Sequence, residues 1–445
     1  MTDWIGDVFT SDTGWEHLER LVNLPNRMPG SEGERRAAAL TRDAFEAQGA
    51  RNARIEPYEI HGWTRESSAI TQPDSGRSYR PFALPRSPSA TAGGEFVDLG
   101  HGMPEDFETT DVEGCVVMVT MGVPESADRY VHRNEKYYYA VDAGAAAFVF
   151  RNTVDGDLAA TGSVGIGETP IGEIPAVGVS KETGLRIARQ HEGEDLVVTV
   201  EADSQMTDSR NVHAEIGPDT DKQIILSCHI DAHDIAEGAT DNGGSTAALV
   251  EAAGALAARE EELDTRVHLI GFGSEEINLV GSEYGADRID QATVKAAVNT
   301  DGLAQSRALQ CHTHGFDGIE TAIADVGERF GHPIETDAGL VPFSDHWPFV
   351  KHGTPGCLLT SETENALRGW GHTAGDTLDK VDRRDLVEQA ILLTEFVVAL
   401  ADADHRTERK SRETMARTLE EEGQAEGMKV IGWWPYDDLD GMNGQ

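Results

Sequence analysis

The amino-acid sequence predicts an α/β protein: a mostly parallel central sheet with helices on both faces, plus an inserted small β-rich domain. Three features point there. After residue 204, short apolar runs alternate with helical stretches, the pattern that builds a parallel sheet. The segment at roughly 80–203 has another texture, short β-type runs with a single helix. The first fifty residues are helical in pattern, and a chain of 445 residues has room for two cores.

Residues 14–50 read as helices, with Trp15, Leu18, Leu21 and Val22 in one and "ERRAAALTRDAFEAQGA" in the next; the turn "RMPGSEGE" separates them. Residues 70–94, rich in Ser, Pro, Arg and Gly, predict a linker. From Glu95 come the strand-like runs "FVDLG", "CVVMVTMG", "AAAFVF", "IPAVGVS" and "DLVVTV", with one helical stretch near 181–191. After "DSRNVHAEI", strands are expected at 223–228, 267–273, 295–300, 308–313 and 356–361. Helices are expected between and after them, at 243–258, 280–290, 317–330 and 384–402. The last forty residues open with the charged helix "TERKSRETMARTLEEEG" and end in "MKVIGWWPYDDLD". The expected domains are 1–79 with 204–405 as one body, an insertion at 80–203, and a helical, acidic tail at 406–445.

Composition narrows the partners. With 37 basic against 79 acidic residues the net charge is −42. Such a surface repels nucleic acid and anionic membranes, so neither is expected as a partner. The acids are spread along the whole chain, as in proteins of salt-loving organisms, where the Debye length shrinks to roughly 3 Å at 1 M salt. Loss of structure in dilute buffer is the matching expectation. Cys115, Cys228, Cys311 and Cys357 lie far apart with no C-x-x-C, which predicts free thiols. No basic and apolar leader pattern opens the chain, and no apolar run reaches about 18 residues. A cytoplasmic protein is expected.

The chemistry gathers in "SCHIDAHDIAEGATDNGGSTA" and two later stretches. His229, Asp231 and Asp241 follow the strand 223–228; Glu275 and Glu276 follow 267–273; Asp301 follows 295–300. In open α/β sheets the ligand crevice lies beyond the carboxyl ends of the strands. Three consecutive strands therefore deliver carboxylates and an imidazole to one edge. His372, in "GHTAGDTLDKVD", sits in the loop before the final helix and closes the set. Taken singly, each residue reads as an ordinary surface or turn residue. Together, at the end of a buried sheet, the acids repel one another unless cations neutralise them. Two imidazoles and three carboxylates, without thiolates, suit zinc.

In this order, "HID", "TDNGG", "GSEE", "NTDG", "SDHWPF" and "GHTAGDTLDKVD" resemble the co-catalytic dizinc exopeptidases, the family of zinc aminopeptidases, glutamate carboxypeptidases and carboxypeptidase Q. The likeness covers about 207–402 and extends to "RMPGSEGE"; "GAAAFVF" through "IPAVGVS" is similar to the protease-associated domain that many members carry as an insertion. The resemblance implies the zinc exopeptidase fold and two Zn2+ ions, with Co2+ or Mn2+ as alternatives. It implies that Asp241 bridges the ions, that His229 and Asp301 complete one site, and that Glu276 and His372 complete the other. Asp231 then accepts the second N–H of the His229 ring and fixes its orientation. Glu275 becomes the general base beside a shared, metal-activated water. His346 in "SDHWPF" either holds the oxyanion or substrate, or merely begins a helix; both readings stand.

Peptides are the expected substrates. Aminopeptidases hold a free α-amine with carboxylates, a role open to Glu275 and Asp301, and removal of N-terminal residues is the first reading. A glutamate-type carboxypeptidase needs an Arg clamp, and no spacing marks Arg288, Arg307 or Arg368 as one. A carboxypeptidase or dipeptidase on the same scaffold is the alternative. A single-zinc acyltransferase of glutaminyl cyclase type, or a non-catalytic binding homologue, would lack ligands that this chain has. The adjacent Trp433 and Trp434 suit an interface or a core, and a homodimer is a further expectation.

Overall fold

The computed structural model describes residues 3–167, 169–361 and 369–440. It divides into two units. The first comprises Met1–Ile60, Asp208–Gly371 and Asp376–Thr418; the second comprises His61–Thr207, His372–Gly375 and Leu419–Gln445. The long strands Arg51–Gln72 and Asp195–Ile216 each run from one unit into the other.

In the first unit the strands stand in the order Ile334–Asp337, Leu309–His312, Gly356–Ser361, Val294–Thr300, Gln223–His229, Arg266–Phe272, then the end of Asp195–Ile216. The four central members pair in parallel. Antiparallel pairs stand to either side of them. Gln223–His229 is buried at every position. Both faces of such a strand are covered, so its code is an unbroken apolar run instead of alternation. Ile225, Ile270, Phe272 and Ala297 pack with Ala286 and Phe349, from the helices Val280–Ala286 and Trp347–Val350. The alternate residues Ile224, Leu226, Leu269 and Val298 face the other way and are equally buried. Each such side chain contributes roughly 1.5–3 kcal/mol of burial. Helices Gly244–Ala258 and Arg383–Ala401 pack against Gln223–His229 and against each other. The first of these is Ala-rich and buried around most of its circumference. Helix starts follow local chemistry: Ser31 and Asp382 side chains each accept a backbone N–H one turn in.

In the second unit Ala90–Asp98, Val116–Thr120, Ala147–Arg151 and Ala176–Val179 pair in parallel, and residues 195–200 pair antiparallel to the first of them. The expected helix appears as Lys181–His191, capped by Ser180. The last helices return to this unit: Ala425–Val430 packs on Arg133–Asp142, and Trp434 and Tyr436 are buried with ring centroids 5.2 Å apart. The second Trp of the tail is thus core within its own unit.

Two expectations fail. The segment 80–203 is not limited to one helix: Pro104–Thr109 and Arg133–Asp142 stand beside Lys181–His191, and the second of these is buried at most positions, polar ones included, so no apolar stripe marks it. Residues 70–94 are not a linker: Ile70–Gln72 pairs with Arg77–Tyr79, and Ala90–Glu95 pairs with 195–200. Ser, Gly and Arg there alternate on half-exposed strands, and long-range pairing overrides a local composition that reads as loop. All four cysteines are free, and three are buried. Among the described residues no helix is long and apolar enough to cross a membrane.

Candidate metal centre

Register sets the centre out. Phe272 stands opposite His229, and Asn299 stands opposite Ser227. The parallel strands therefore end level, with Glu275 and Glu276 leaving on one side of His229 and Asp301 on the other. His229 is fully buried. Its Nε2 lies 3.3 Å from Asp241 Oδ1 and 3.6 Å from Asp301 Oδ1, and it has no hydrogen-bond partner. One donor atom from each of these three residues falls within 4.8 Å of the others. An orphaned imidazole nitrogen facing two carboxylates at this spacing fits a divalent cation.

The other ring nitrogen, Nδ1, lies 3.2 Å from the Asp231 carbonyl oxygen and 3.5 Å from its Oδ1. Both are acceptors, so Nδ1 keeps its ring proton, and loss of the Nε2 proton would present that nitrogen's lone pair to a metal. The Asp231 carboxylate also accepts the backbone N–H groups of Glu275 and Glu276, at 3.2 and 3.1 Å. It thereby ties the His229 loop to the glutamate loop. Burial opposes charge on His229, yet Asp231, Asp241 and Asp301 outweigh it and hold its pKa well above the ordinary value. Glu275 is pushed well above the carboxylate range by burial, with His229 opposing and Asp301, Glu276 and Asp345 adding to the rise. Burial lifts Asp345 to about 7. Carboxylates crowded in this way mark a cation site.

Several residues that build the centre escaped the sequence reading. Asp376 Oδ1 accepts the Thr240 N–H and hydroxyl at 2.7 and 2.8 Å, and its Oδ2 accepts the Asp241 N–H at 3.1 Å. Asn242 donates to the Thr300 carbonyl and accepts from the Gly302 N–H, bracketing Asp301. Ser344 donates to Asp301 Oδ2 at 2.9 Å and accepts from Asn299. Arg27 is buried, and its Nε, Nη1 and Nη2 donate to the carbonyls of Ile230, Glu237 and Gly238 at 3.2, 2.7 and 2.9 Å. One guanidinium thus closes both ends of the loop between His229 and Asp241. His233 Nε2 lies 2.8 Å from Glu276 Oε2. It was visible as a second imidazole in "HIDAHD"; Arg27, Asn242 and Asp376 act mainly on backbone atoms and Ser344 on the Asp301 side chain, and none left a sequence signal beyond the turn "RMPGSEGE" and the motifs around them.

His346, Arg288 and Arg307 fall elsewhere. His346 is fully buried at the start of the helix Trp347–Val350. Its Nε2 donates to the Val341 carbonyl at 2.9 Å, and its ring stacks on His314 with centroids 4.6 Å apart. Burial keeps its pKa well below the ordinary value, so the ring is neutral. His372 groups with the second unit. Arg288 lies over the Tyr284 ring and Arg307 pairs with Glu388. Arg368 lies outside the described residues.

The glutamate loop rests on a close backbone approach. A Cβ on Gly281 would fall 1.9 Å from the Gly273 carbonyl oxygen and 2.5 Å from the Tyr58 hydroxyl, which itself donates to that carbonyl at 2.8 Å. Gly281→Ala is therefore expected to destabilise the protein by roughly 2–4 kcal/mol and to displace Glu275 and Glu276. Denaturant titration in high salt measures the first effect, and a wild-type midpoint would refute it.

Residues 211–397 match the model of Peptidase family M28, and residues 83–187 match that of the PA domain. Aminopeptidase YwaD of Bacillus subtilis is 26% identical over 314 residues, covering 67% of this chain and 65% of that protein's length. Leucine aminopeptidase 2 of Trichophyton rubrum is 24% identical over 440 residues, covering 92% of this chain and 85% of that protein. Among solved structures, a peptidase M28 precursor from Shewanella amazonensis superposes with a TM-score of 0.75 at 18% identity, over 91% of this chain and 97% of that one. BSAP, a zinc aminopeptidase from Bacillus subtilis, gives 0.69 at 22% identity, over 89% and 96%. At these identities the structural likeness concerns the fold. The family match spans every strand end that carries a candidate ligand: residues 211–397 are similar to Peptidase family M28, and residues 83–187 are similar to the PA domain.

Proposed function

We infer that the protein is a dizinc aminopeptidase that removes N-terminal residues from peptides. The observation that carries this reading is the buried His229 Nε2, without a hydrogen-bond partner and facing Asp241 and Asp301 at the sheet edge. His229, Asp241 and Asp301 would hold one ion; the family resemblance gives Asp241, Glu276 and His372 to a second. Bound there, divalent cations supply Lewis acidity toward a water and the scissile carbonyl. Asp231 keeps the His229 ring in the ligating tautomer. Glu275, a half-buried carboxyl with a raised affinity for protons, takes the proton of the attacking water and returns it to the leaving amine. Two curated relatives are aminopeptidases by name. Arg288 lies over the Tyr284 ring and Arg307 pairs with Glu388, so neither stands among the candidate ligands as a carboxylate clamp.

Metal analysis in high salt, paired with aminoacyl-anilides and N-blocked dipeptides as substrates, tests the reading. Two zinc equivalents and cleavage of the anilides alone are expected. Cleavage of the blocked dipeptides would make it a carboxypeptidase or dipeptidase. A single equivalent would point to the cyclase type.

A further inference from the structure

The parallel strands Gln223–His229, Arg266–Phe272 and Val294–Thr300 end at the candidate metal centre. Their opposite ends open on a cavity of about 660 Å³ within the first unit, lined by Lys222, Thr265 and Val294 and by residues of the segment 403–409. Seven residues of strand, at about 3.3 Å each, put it roughly 20 Å from the candidate ligands. The segment has a composition unlike the rest of the chain. Four cations, Arg406, Arg409, Lys410 and Arg412, fall within seven residues, against 37 in all 445. Residues 405–411 form neither helix nor strand, yet they are firmly seated. A Cβ on Gly318 would fall 2.3 Å from the Arg406 carbonyl oxygen, and Thr407 Oγ1 donates to the Lys295 carbonyl at 2.6 Å.

The cations around the cavity hold neutral acceptors or none. Lys222 Nζ donates to the Ala292 carbonyl at 2.6 Å and Lys295 Nζ to the Asp402 carbonyl at 2.7 Å, so each ammonium keeps two protons for another acceptor. Arg409 donates from Nη1 to the Gln291 carbonyl and from Nη2 to the Thr354 hydroxyl, both at 2.8 Å, which fixes the guanidinium without neutralising it. The exposed Arg406 side chain meets no hydrogen-bond or ion-pair partner among the described residues. Three acids also line the cavity, Asp221, Asp264 and Glu408. Asp264 accepts the Ala403 N–H at 3.0 Å and acts on Lys295 only from beyond contact. Elsewhere in this unit Arg51 pairs with Glu260, Arg259 with Glu395 and Arg307 with Glu388. In a chain of 79 acids and 37 bases, four cations around one cavity without a carboxylate in contact reverse the local sign. The volume is that of a small-molecule site, roughly 300–1,000 Å³.

We propose that this cavity binds a phosphate-type oxyanion, free or as the head of a small organic molecule, with Arg406 and Lys295 as its main ligands and Lys222 and Arg409 completing the cationic rim. The guanidinium forks match phosphate oxygens, and the ammonium groups add point charges. The proposal is independent of the dizinc reading, because the cavity lies at the other end of the strands. Isothermal titration calorimetry of the full chain in high salt tests it, with inorganic pyrophosphate and adenosine diphosphate as probes. One equivalent is expected to bind the wild type. Arg406→Gln and Lys295→Gln should each weaken binding about 10- to 100-fold, the loss of charge-assisted hydrogen bonds. Oxyanions also bind zinc, so His229→Ala, which breaks the candidate metal centre, is the control. It should bind the probe within about twofold of wild type, as a distant site does. Should Lys295→Gln not fold, as judged by near-UV circular dichroism, Arg406→Gln carries the measurement, since that side chain holds nothing in place. Tighter binding of adenosine diphosphate makes a phosphorylated organic molecule the occupant, and equal or weaker binding makes it the free oxyanion; the site stands in either case. Absence of saturable binding of both probes to wild type overturns the proposal, as does unchanged affinity in folded Arg406→Gln. Binding kept in Arg406→Gln but lost in His229→Ala would place the oxyanion at the metal centre instead.

Discussion

Glu275→Gln is expected to lower kcat by about 10³- to 10⁴-fold while both zinc equivalents stay bound. Gln keeps the shape of the side chain and the backbone N–H that bonds to Asp231. What it cannot do is take a proton from water. If Glu275 serves only as the base, KM should change little, because the interaction removed is one made in the transition state. The design depends on the division of labour between adjacent glutamates: Glu276 sits within 2.8 Å of His233, whereas Glu275 is raised chiefly by burial. Metal content by atomic absorption, alongside anilide hydrolysis, decides the matter. Loss of zinc in Glu275→Gln would show that this carboxylate is a ligand and would exchange the two roles.

The second large effect is acid sensitivity. Burial pushes His17 to about 3, with Arg20 and Arg27 adding to the fall. Burial likewise pushes His268 to about 3 and His314 to about 4. All three are buried and neutral when folded, and each returns to an ordinary pKa of about 6.5 when the chain unfolds. The folded values are depressed, so the stability they confer is present above pH 6.5 and is lost as the pH falls toward 4. On these three rings the unfolded chain binds about three more protons than the folded one between pH 6 and 4, worth about 4 kcal/mol per pH unit. The buried carboxyls Glu34 and Asp345, raised to about 8 and about 7, bind protons in the folded state and offset about two of these. His268→Gln, whose amide cannot charge, isolates one ring: its stability should fall more slowly than that of wild type by about 1.4 kcal/mol per pH unit between pH 6 and 4, read by denaturant titration at constant high salt. Equal slopes for the two proteins would contradict the assignment of His268 as neutral.

The parallel strands were legible because burial on both faces leaves an unbroken apolar run, as in Ile224, Ile225 and Leu226. The candidate ligands were legible because acids and histidines stand just past those runs. The strand Arg51–Gln72 was missed: its buried members Tyr58, Ile60, Trp63 and Ile70 are separated by Arg, Glu, His, Ser and Thr that match no clean period. The residues 70–94 were misread for the same reason, since their order comes from partners far away in the chain. Arg27 and Asp376 were invisible as parts of the centre because they bind backbone atoms. Any residue presents the same N–H and C=O, so no pattern of residue types marks such a contact.

The sequence by itself determined which residue types reach the rim of the sheet, because strand period, apolar runs and the identity of the next residue are local properties. Only the tertiary structure decided how those residues are held: the Asp231 bridge to the glutamate loop, the Arg27 clamp and the Asp376 acceptor. Each joins segments tens to hundreds of positions apart, and such distances become hydrogen bonds only once the chain has folded.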